Sequence, residues 1–221
     1  EDRVESGTPI VTDGKPGLHY LNLQNGTIWR WNRPIYDPNT ELSHIRVENR
    51  LLPAGPTVAD IVADAAFYYG LVNFLVGQTR PVWSRLSFDD AANNFFAGAR
   101  NGIHANMTWP TLGTIPVAEL VTEHLLEQAE QGLEQLDVNP ALIQKHLGII
   151  EGRARNRQNG ATWQLAALDN ATATLRAEAD HEDHDGPDST LRRQAIARML
   201  SAYIDNQKSG EPVHTWSTDI S

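Results

Sequence analysis

The stretch Gly26-Thr27-Ile28-Trp29-Arg30-Trp31-Asn32-Arg33-Pro34, then His44-Ile45-Arg46-Val47-Glu48-Asn49-Arg50, then Pro56-Thr57, decides the fold class. Up to Arg50 apolar and polar residues alternate in short runs, the period of strands. From Thr57 onward the period is helical. Asn25-Gly26 is a strong hairpin signal, and Leu18-His19-Tyr20-Leu21-Asn22-Leu23 before it is strand-like in length and composition. The spacing predicts strands over 18–23, 27–31 and 44–50, with Pro34 ending the second and Asp37-Pro38-Asn39 forming a turn. On the third strand Arg46, Glu48 and Arg50 share one face, while Ile45 and Val47 flank the other with Asn49. A face reading Arg-x-Glu-x-Arg is unusual. Its plain explanation is a solvent-facing surface with an internal ion pair between Glu48 and Arg46 or Arg50.

Upstream, residues 1–17 are polar, contain Gly and Pro, and lack periodicity, which predicts an irregular entry segment. Downstream, the apolar stripe of Val58–Val76 predicts a first helix, entered at Pro56-Thr57 and closed at Gly77. Ser87-x-x-Asp90 resembles a capping box and opens a helix to Arg100, closed by Gly102. Pro116 at a first helical position predicts a helix to Leu136, and Pro140 predicts one to Arg157. Two more follow over Ala161–Ala179 and Ser189–Gln207, separated by a polar loop over His181–Asp188. Strands followed by about six helices make the fold class α+β. The expected organisation is an entry segment (1–17), one domain over 18–208 and an irregular tail (209–221). Within that domain a strand block (18–50) precedes a helical block (57–208).

The 221 residues hold 18 Lys+Arg against 28 Asp+Glu, a formal net charge of −10. So acidic a chain is a poor ligand for nucleic acid or an anionic membrane surface. Most of the excess lies in residues 111–221; Arg30, Arg33, Arg46 and Arg50 cluster in the nearly neutral first half. There is no Cys, which removes disulfides, thiolate metal sites and Cys nucleophiles and suits the cytoplasm, the expected compartment. No run of about 18 apolar residues predicts a membrane span. Three short strands make a poor independent sheet. The reading is therefore that the sheet continues into strands from sequence outside this chain, which begins at Glu1 rather than Met.

Several stretches together resemble the bacterial glutamate–cysteine ligase family, in its carboxylate–amine ligase branch. Gly26–Pro34 is similar to that family's strand motif, Gly-Thr followed by Trp-Trp-Asp-hydrophobic-Arg-Pro. Glu48-Asn49-Arg50 resembles its Glu-x-Arg motif, and the helix from Pro56-Thr57 fits the next element. Asn94 through Ala105 resembles its Asn-x-x-x-Ala-Ala-Arg-x-Gly-hydrophobic-x-Ala pattern, and Gly160-Ala161-Thr162-Trp163-Gln164 its late Gly-Ala-x-x-Gln element. The resemblance spans about residues 18–165 and falls in the C-terminal half of such enzymes. It implies a glutamine-synthetase-like sheet and ATP-dependent γ-glutamyl amide formation through an acyl phosphate, as in glutathione-type biosynthesis. The implied partners are ATP, glutamate or a similar carboxylate, an amine acceptor, and the N-terminal half that supplies most acidic metal ligands. The implied roles are Glu48 as a Mg²⁺ ligand, Arg50 as the phosphate contact, and Arg33 and Arg46 as contacts to phosphate or substrate carboxylate. Asn32 stands where the family has Asp, and a carboxamide cannot supply that charge. This departure favours the alternative of a non-catalytic binding or regulatory module that keeps the fold. An isolated half with an open sheet face is also prone to self-association.

The other candidates have plainer readings. Glu119, Glu123, Glu127, Glu130 and Glu134 at helical spacing describe a solvated face. Trp29 and Trp31 suit sheet packing better than adenine stacking. Arg100 and Asn101 suit a helix end better than a phosphate site. His181-Glu182-Asp183-His184-Asp185 has metal-ligand chemistry, but in a loop without a fixed scaffold.

Overall fold

The computed structural model describes residues 10–12, 15–18, 20, 21, 23, 32–37, 43–52, 55–178 and 188–220. They form a mixed α+β chain that is mostly helical. It divides into two compact units, Glu1–Pro53 and Ala54–Ser221, at the junction where the sequence period changes.

The first unit holds two hairpins. β1 (Ile10–Thr12) pairs antiparallel with β2 (Lys15–Gly17), within the segment expected to be irregular. Three-residue strands are too short to show a period. β3 (Asn32–Asp37) pairs antiparallel with β4 (His44–Asn49), with Arg33 opposite Glu48 and Ile35 opposite Arg46. Pro34 therefore does not end a strand; it lies inside β3. A two-stranded ribbon makes this possible, because each strand is an edge and one missing N–H breaks no central ladder. Tyr20, Leu21 and Leu23 are helical rather than extended, since a short apolar run suits a helix turn as well as a strand. The expected turn at Asn25-Gly26 and strand over 27–31 lie outside the described residues.

The second unit follows the expected helices closely. α1 (Val58–Val76) starts at a capping box: the Thr57 hydroxyl accepts from the Asp60 N–H, and the Asp60 carboxylate accepts from the Thr57 N–H. α2 (Phe88–Asn101) is capped by Ser87, and Gly102 ends it with φ of 52°. β5 (Asn106–Trp109) and β6 (Gly113–Pro116) then form a hairpin that the sequence did not announce. Its turn carries the left-handed Thr111 beside Gly113. Pro116 precedes the helix instead of opening it. α3 (Val117–Leu120) runs through a π turn (Val121–Leu125) into α4 (Leu126–Glu134). All five glutamates of this run are exposed, as a solvated face requires. α5 (Pro140–Asn156), α6 (Gly160–Glu178) and α7 (Asp188–Ser209) complete the bundle.

Packing explains the chain order. α1 and α4 meet backbone to backbone: a Cβ on Gly70 would collide with the Ala129 carbonyl, and one on Gly132 with the Gly70 carbonyl. Ala129 and Leu133 then pack with Ile143 and Leu147 of α5, while Ala63 packs with Ile149 and Ile150. By length and composition alone α1 is apolar enough to cross a membrane. Within this unit it carries a buried Asp60 and packs along α4 and α5, while Val58, Tyr69 and Val76 remain exposed. The tail after Ser209 has little regular structure but is firmly seated. Trp163 is fully buried and meets Trp216 edge to face, with ring centroids 5.3 Å apart. Gln158 donates to the Val213 and Trp216 carbonyls at 2.8 Å each, and the Trp163 indole donates to the Ser217 carbonyl.

One ionic knot ties these parts together. Asp60 is fully buried. It accepts from the Thr57 hydroxyl at 2.8 Å, from Arg153 Nη2 at 2.8 Å and from the Val213 N–H at 3.2 Å. Arg153 also bonds Asp64 at 2.6 Å. Burial holds the Asp64 carboxyl above its ordinary pKa despite that guanidinium. His214 packs its ring against Gly152, where a Cβ has no room. Burial, then the Arg153 charge, pushes its imidazole below the ordinary histidine pKa; burial and Lys145 do the same for His146.

Two outcomes are expected. Arg153→Met leaves a buried carboxylate uncompensated and should cost about 3–5 kcal/mol in urea unfolding. Arg155→Met, which breaks an exposed pair with Glu151, should cost less than about 1 kcal/mol. Equal effects would dismiss the knot as the anchor. For pH, both imidazoles bind a proton less readily when folded than in the unfolded chain, where histidine titrates near pH ~6.5. The unfolded state then binds more protons, so stability falls as pH drops from about 7.5 to 6. This window lies above the carboxylate range, where Asp64 acts with the opposite sign. Thermal unfolding should show that slope, and His146→Gln/His214→Gln should flatten it.

Candidate functional site

Alternation along two paired strands builds the site. Because Arg33 stands opposite Glu48, both side chains leave the ribbon on one face. Arg33 Nε donates to Glu48 Oε2 at 2.5 Å, and Arg50 Nε donates to the same oxygen at 2.7 Å. Oε1 takes neither bond. The Glu48 side chain is 34 % exposed and the two guanidiniums 21 % and 25 %, so the trio lies at the surface yet partly shielded. The Arg50 hydrogen bond is the main cause that draws the Glu48 carboxyl below its ordinary pKa. Desolvation opposes it as the next largest effect, and the Arg33 bond and both positive charges add to the lowering. The cluster sets two guanidiniums on one carboxylate oxygen, and guanidiniums bind phosphate or carboxylate oxygens with directional bonds.

The expected residues divide between two sets. Arg33, Glu48 and Arg50 come together. Arg46 turns instead to Asp37, at 3.3 Å, with His44 at 3.5 Å from the same nitrogen. The ion pair for Glu48 was sought with Arg46 or Arg50; the structure supplies Arg50 and Arg33. Arg33 was missed as a partner because Pro34 was read as a stop, which hid the register that pairs it with Glu48. Asn32 heads β3 opposite Asn49 and is exposed. On the other ribbon face Ile45 and Val47 are exposed as well. Trp29, Arg30 and Trp31 lie outside the described residues, and so does the stretch His181–Asp185.

A Mg²⁺ ion needs several oxygen ligands. Among the described residues no group of three or more His, Asp or Glu converges to hold a metal. Glu48 offers one carboxylate, so the described residues do not by themselves fit the ion.

Arg100 ends α2 at the surface, in keeping with its reading as a helix-end residue. The stretch Asn94–Ala105 builds structure instead: the Asn94 side chain donates to the Thr108 carbonyl and accepts from the Thr108 N–H, both at 2.7 Å, pinning β5 to α2. In Gly160–Gln164, Trp163 is core and Gln164 donates to the Gly160 carbonyl.

No family model, curated protein or solved structure matches the chain.

A carbon-detected NMR titration of Glu48 should give a carboxyl pKa below the ordinary 4.5. Arg50→Ala should raise it more than Arg33→Ala does. An unshifted wild-type carboxyl would remove the cluster from consideration as a preorganised anion site.

Proposed function

We propose that this chain is the C-terminal part of an ATP-dependent carboxylate–amine ligase resembling glutamate–cysteine ligase. The observation that carries the reading is the Arg33–Glu48–Arg50 cluster, which gathers two guanidiniums and a carboxylate on one ribbon face. The ordered motifs from Gly26 to Gln164 support it. So does the β3–β4 ribbon, whose apolar Ile45 and Val47 are exposed. Two strands are marginal alone, and a larger glutamine-synthetase-like sheet would cover and pair them.

In this reading an acid, glutamate by resemblance, attacks the ATP γ-phosphorus through its side-chain carboxylate. The bond to the β–γ bridging oxygen breaks, ADP leaves, and an acyl phosphate forms. An amine then attacks the acyl carbon, loses a proton and expels inorganic phosphate. Phosphoryl transfer needs in-line positioning and compensation of charge rather than covalent help from the protein. Arg50 and Arg33 would hold phosphate oxygens, with Glu48 fixing both guanidiniums in place through Oε2. Arg46, tied to Asp37, is the outlying cation and would meet a substrate carboxylate or phosphate at the rim. Glu48 Oε1 would be one oxygen ligand of Mg²⁺, and the remaining ligands would come from the N-terminal half. The chain would work in the cytoplasm. The alternative, a non-catalytic module that keeps the fold and binds the anion, draws on Asn32 in place of the family's Asp.

The test uses the full-length gene product. Wild type should form the amide with ATP consumption, while Arg50→Ala and Glu48→Ala should each lower kcat/KM at least about a hundredfold. Intact ATP binding without turnover in the wild type would establish the binding-module alternative. Turnover by the isolated 221-residue chain, expected to be inactive, would show that no second half is needed.

A further inference from the structure

We propose that the helical unit pairs with a second copy of this chain through the solvent face of α1, as an antiparallel, two-fold symmetric helix pair. The face is the stripe Val58, Val62, Ala65, Tyr69, Val72 and Val76. It lies wholly within the helical unit and does not involve the arginine–glutamate cluster, so the inference does not rest on the ligase reading.

Three observations carry it. The first is exposure. One face of α1 is committed to its own unit: Ala63, Phe67 and Leu71 pack in the core, and Gly70 abuts α4. The stripe lies on the other face. Val58 and Val76 are 75 % and 74 % exposed, and Tyr69 is 61 % exposed. Val62 and Val72 are exposed as well, and Ala65 is half-buried. Apolar side chains scattered singly over a surface need no partner, whereas a continuous apolar stripe marks an interaction surface.

The second observation is spacing. The six residues follow one another at four, three, four, three and four positions. That alternation holds them in one narrow seam along the helix and is the repeat by which two helices interlock side chains. The seam is also complementary to itself. In a two-fold pair, residue i of one copy meets residue j of the other, and j meets i. With the axis at Phe67, Val58 meets Val76, Val62 meets Val72, and Ala65 meets Tyr69. The bulkiest residue thus falls opposite the smallest, as interlocking layers require. A parallel pair would crowd Tyr69 against Tyr69 and leave a gap at Ala65.

The third observation is charge. A chain with a net charge of −10 repels its own copy over most surfaces. α1 has two charged residues, Asp60 and Asp64, and Arg153 binds both. The stripe itself is uncharged, so α1 brings no like charge to the contact. Area sets the strength. Each strip is about 28 Å long and about 10 Å wide. Two of them bury less than the roughly 1,200 Å² of a permanent interface, so the pair is reversible, with a dissociation constant on the order of 10 µM.

Sedimentation equilibrium of the 221-residue chain from about 1 to about 200 µM should show the mass rising from monomer towards dimer. Val62→Glu and Val72→Lys should each weaken the pairing at least about tenfold. Mixing the two variants should restore it, because the introduced charges face each other. Circular dichroism and thermal unfolding check that both are folded. Because the chain has no Cys, Val58→Cys and Val76→Cys place single thiols at the two ends of the stripe. Their equimolar mixture should form disulfide-linked dimers at least about tenfold faster than either variant alone, since like positions lie about 27 Å apart. This readout decides the matter even where a charged variant fails to fold. A monomer across the whole concentration range would overturn the proposal and assign the stripe to sequence outside this chain. Pairing lost in Ile45→Lys/Val47→Lys but kept in Val62→Glu would overturn it by moving the contact to the strand ribbon. Faster cross-linking of Val58→Cys with itself than with Val76→Cys would overturn the antiparallel register.

Discussion

A single buried carboxylate organises the helical unit. Asp60 closes the capping box that starts α1, receives the Arg153 guanidinium from α5, and accepts the Val213 N–H from the C-terminal tail. Each of these partners lies far from the others in sequence. A buried carboxylate without compensation would be untenable. The charge therefore demands that the helix start, the middle helix and the tail arrive together. Apolar packing then has a fixed frame: α4 lies against α1 at Gly70 and Gly132, and the Trp163–Trp216 pair seals the tail.

The two units use charge in opposite ways. In the helical unit a guanidinium serves two acids and is itself largely enclosed, so the ions are committed to structure. In the strand unit one acid serves two guanidiniums near the surface. The net charge of −10 hides this division, because many acidic residues lie on exposed helix faces such as that of Glu119 to Glu134.

The helices were legible because their ends are written locally. Ser87, Gly102, Pro140 and Asn159-Gly160 each act within one turn of the boundary that they set. The strands were less so. β1 and β2 are too short to show a period, and Pro34 reads as a terminator unless the strand is known to be an edge. β5 and β6 hinge on a left-handed Thr111, a conformation that residue type does not advertise. The candidate site was half legible. Glu48 and Arg50 share a strand face by parity alone, but Arg33 joins them through a register fixed by pairing. The bond between Arg153 and Asp60 spans 93 residues, and no local signal connects its ends.

The π turn has a consequence for counting residues. Leu120 and Leu125 are both buried five positions apart, whereas Leu125, Ala129 and Leu133 follow at fours. One residue is thus present without advancing the buried stripe. The segments before and after Val121–Leu125 keep independent phase, like two gears with one tooth left unmeshed. A reader who extends the α-helical stripe of α3 across that point assigns every later residue to a face rotated by about 100°. Loss of one residue there would shorten the chain without shortening the set of buried contacts.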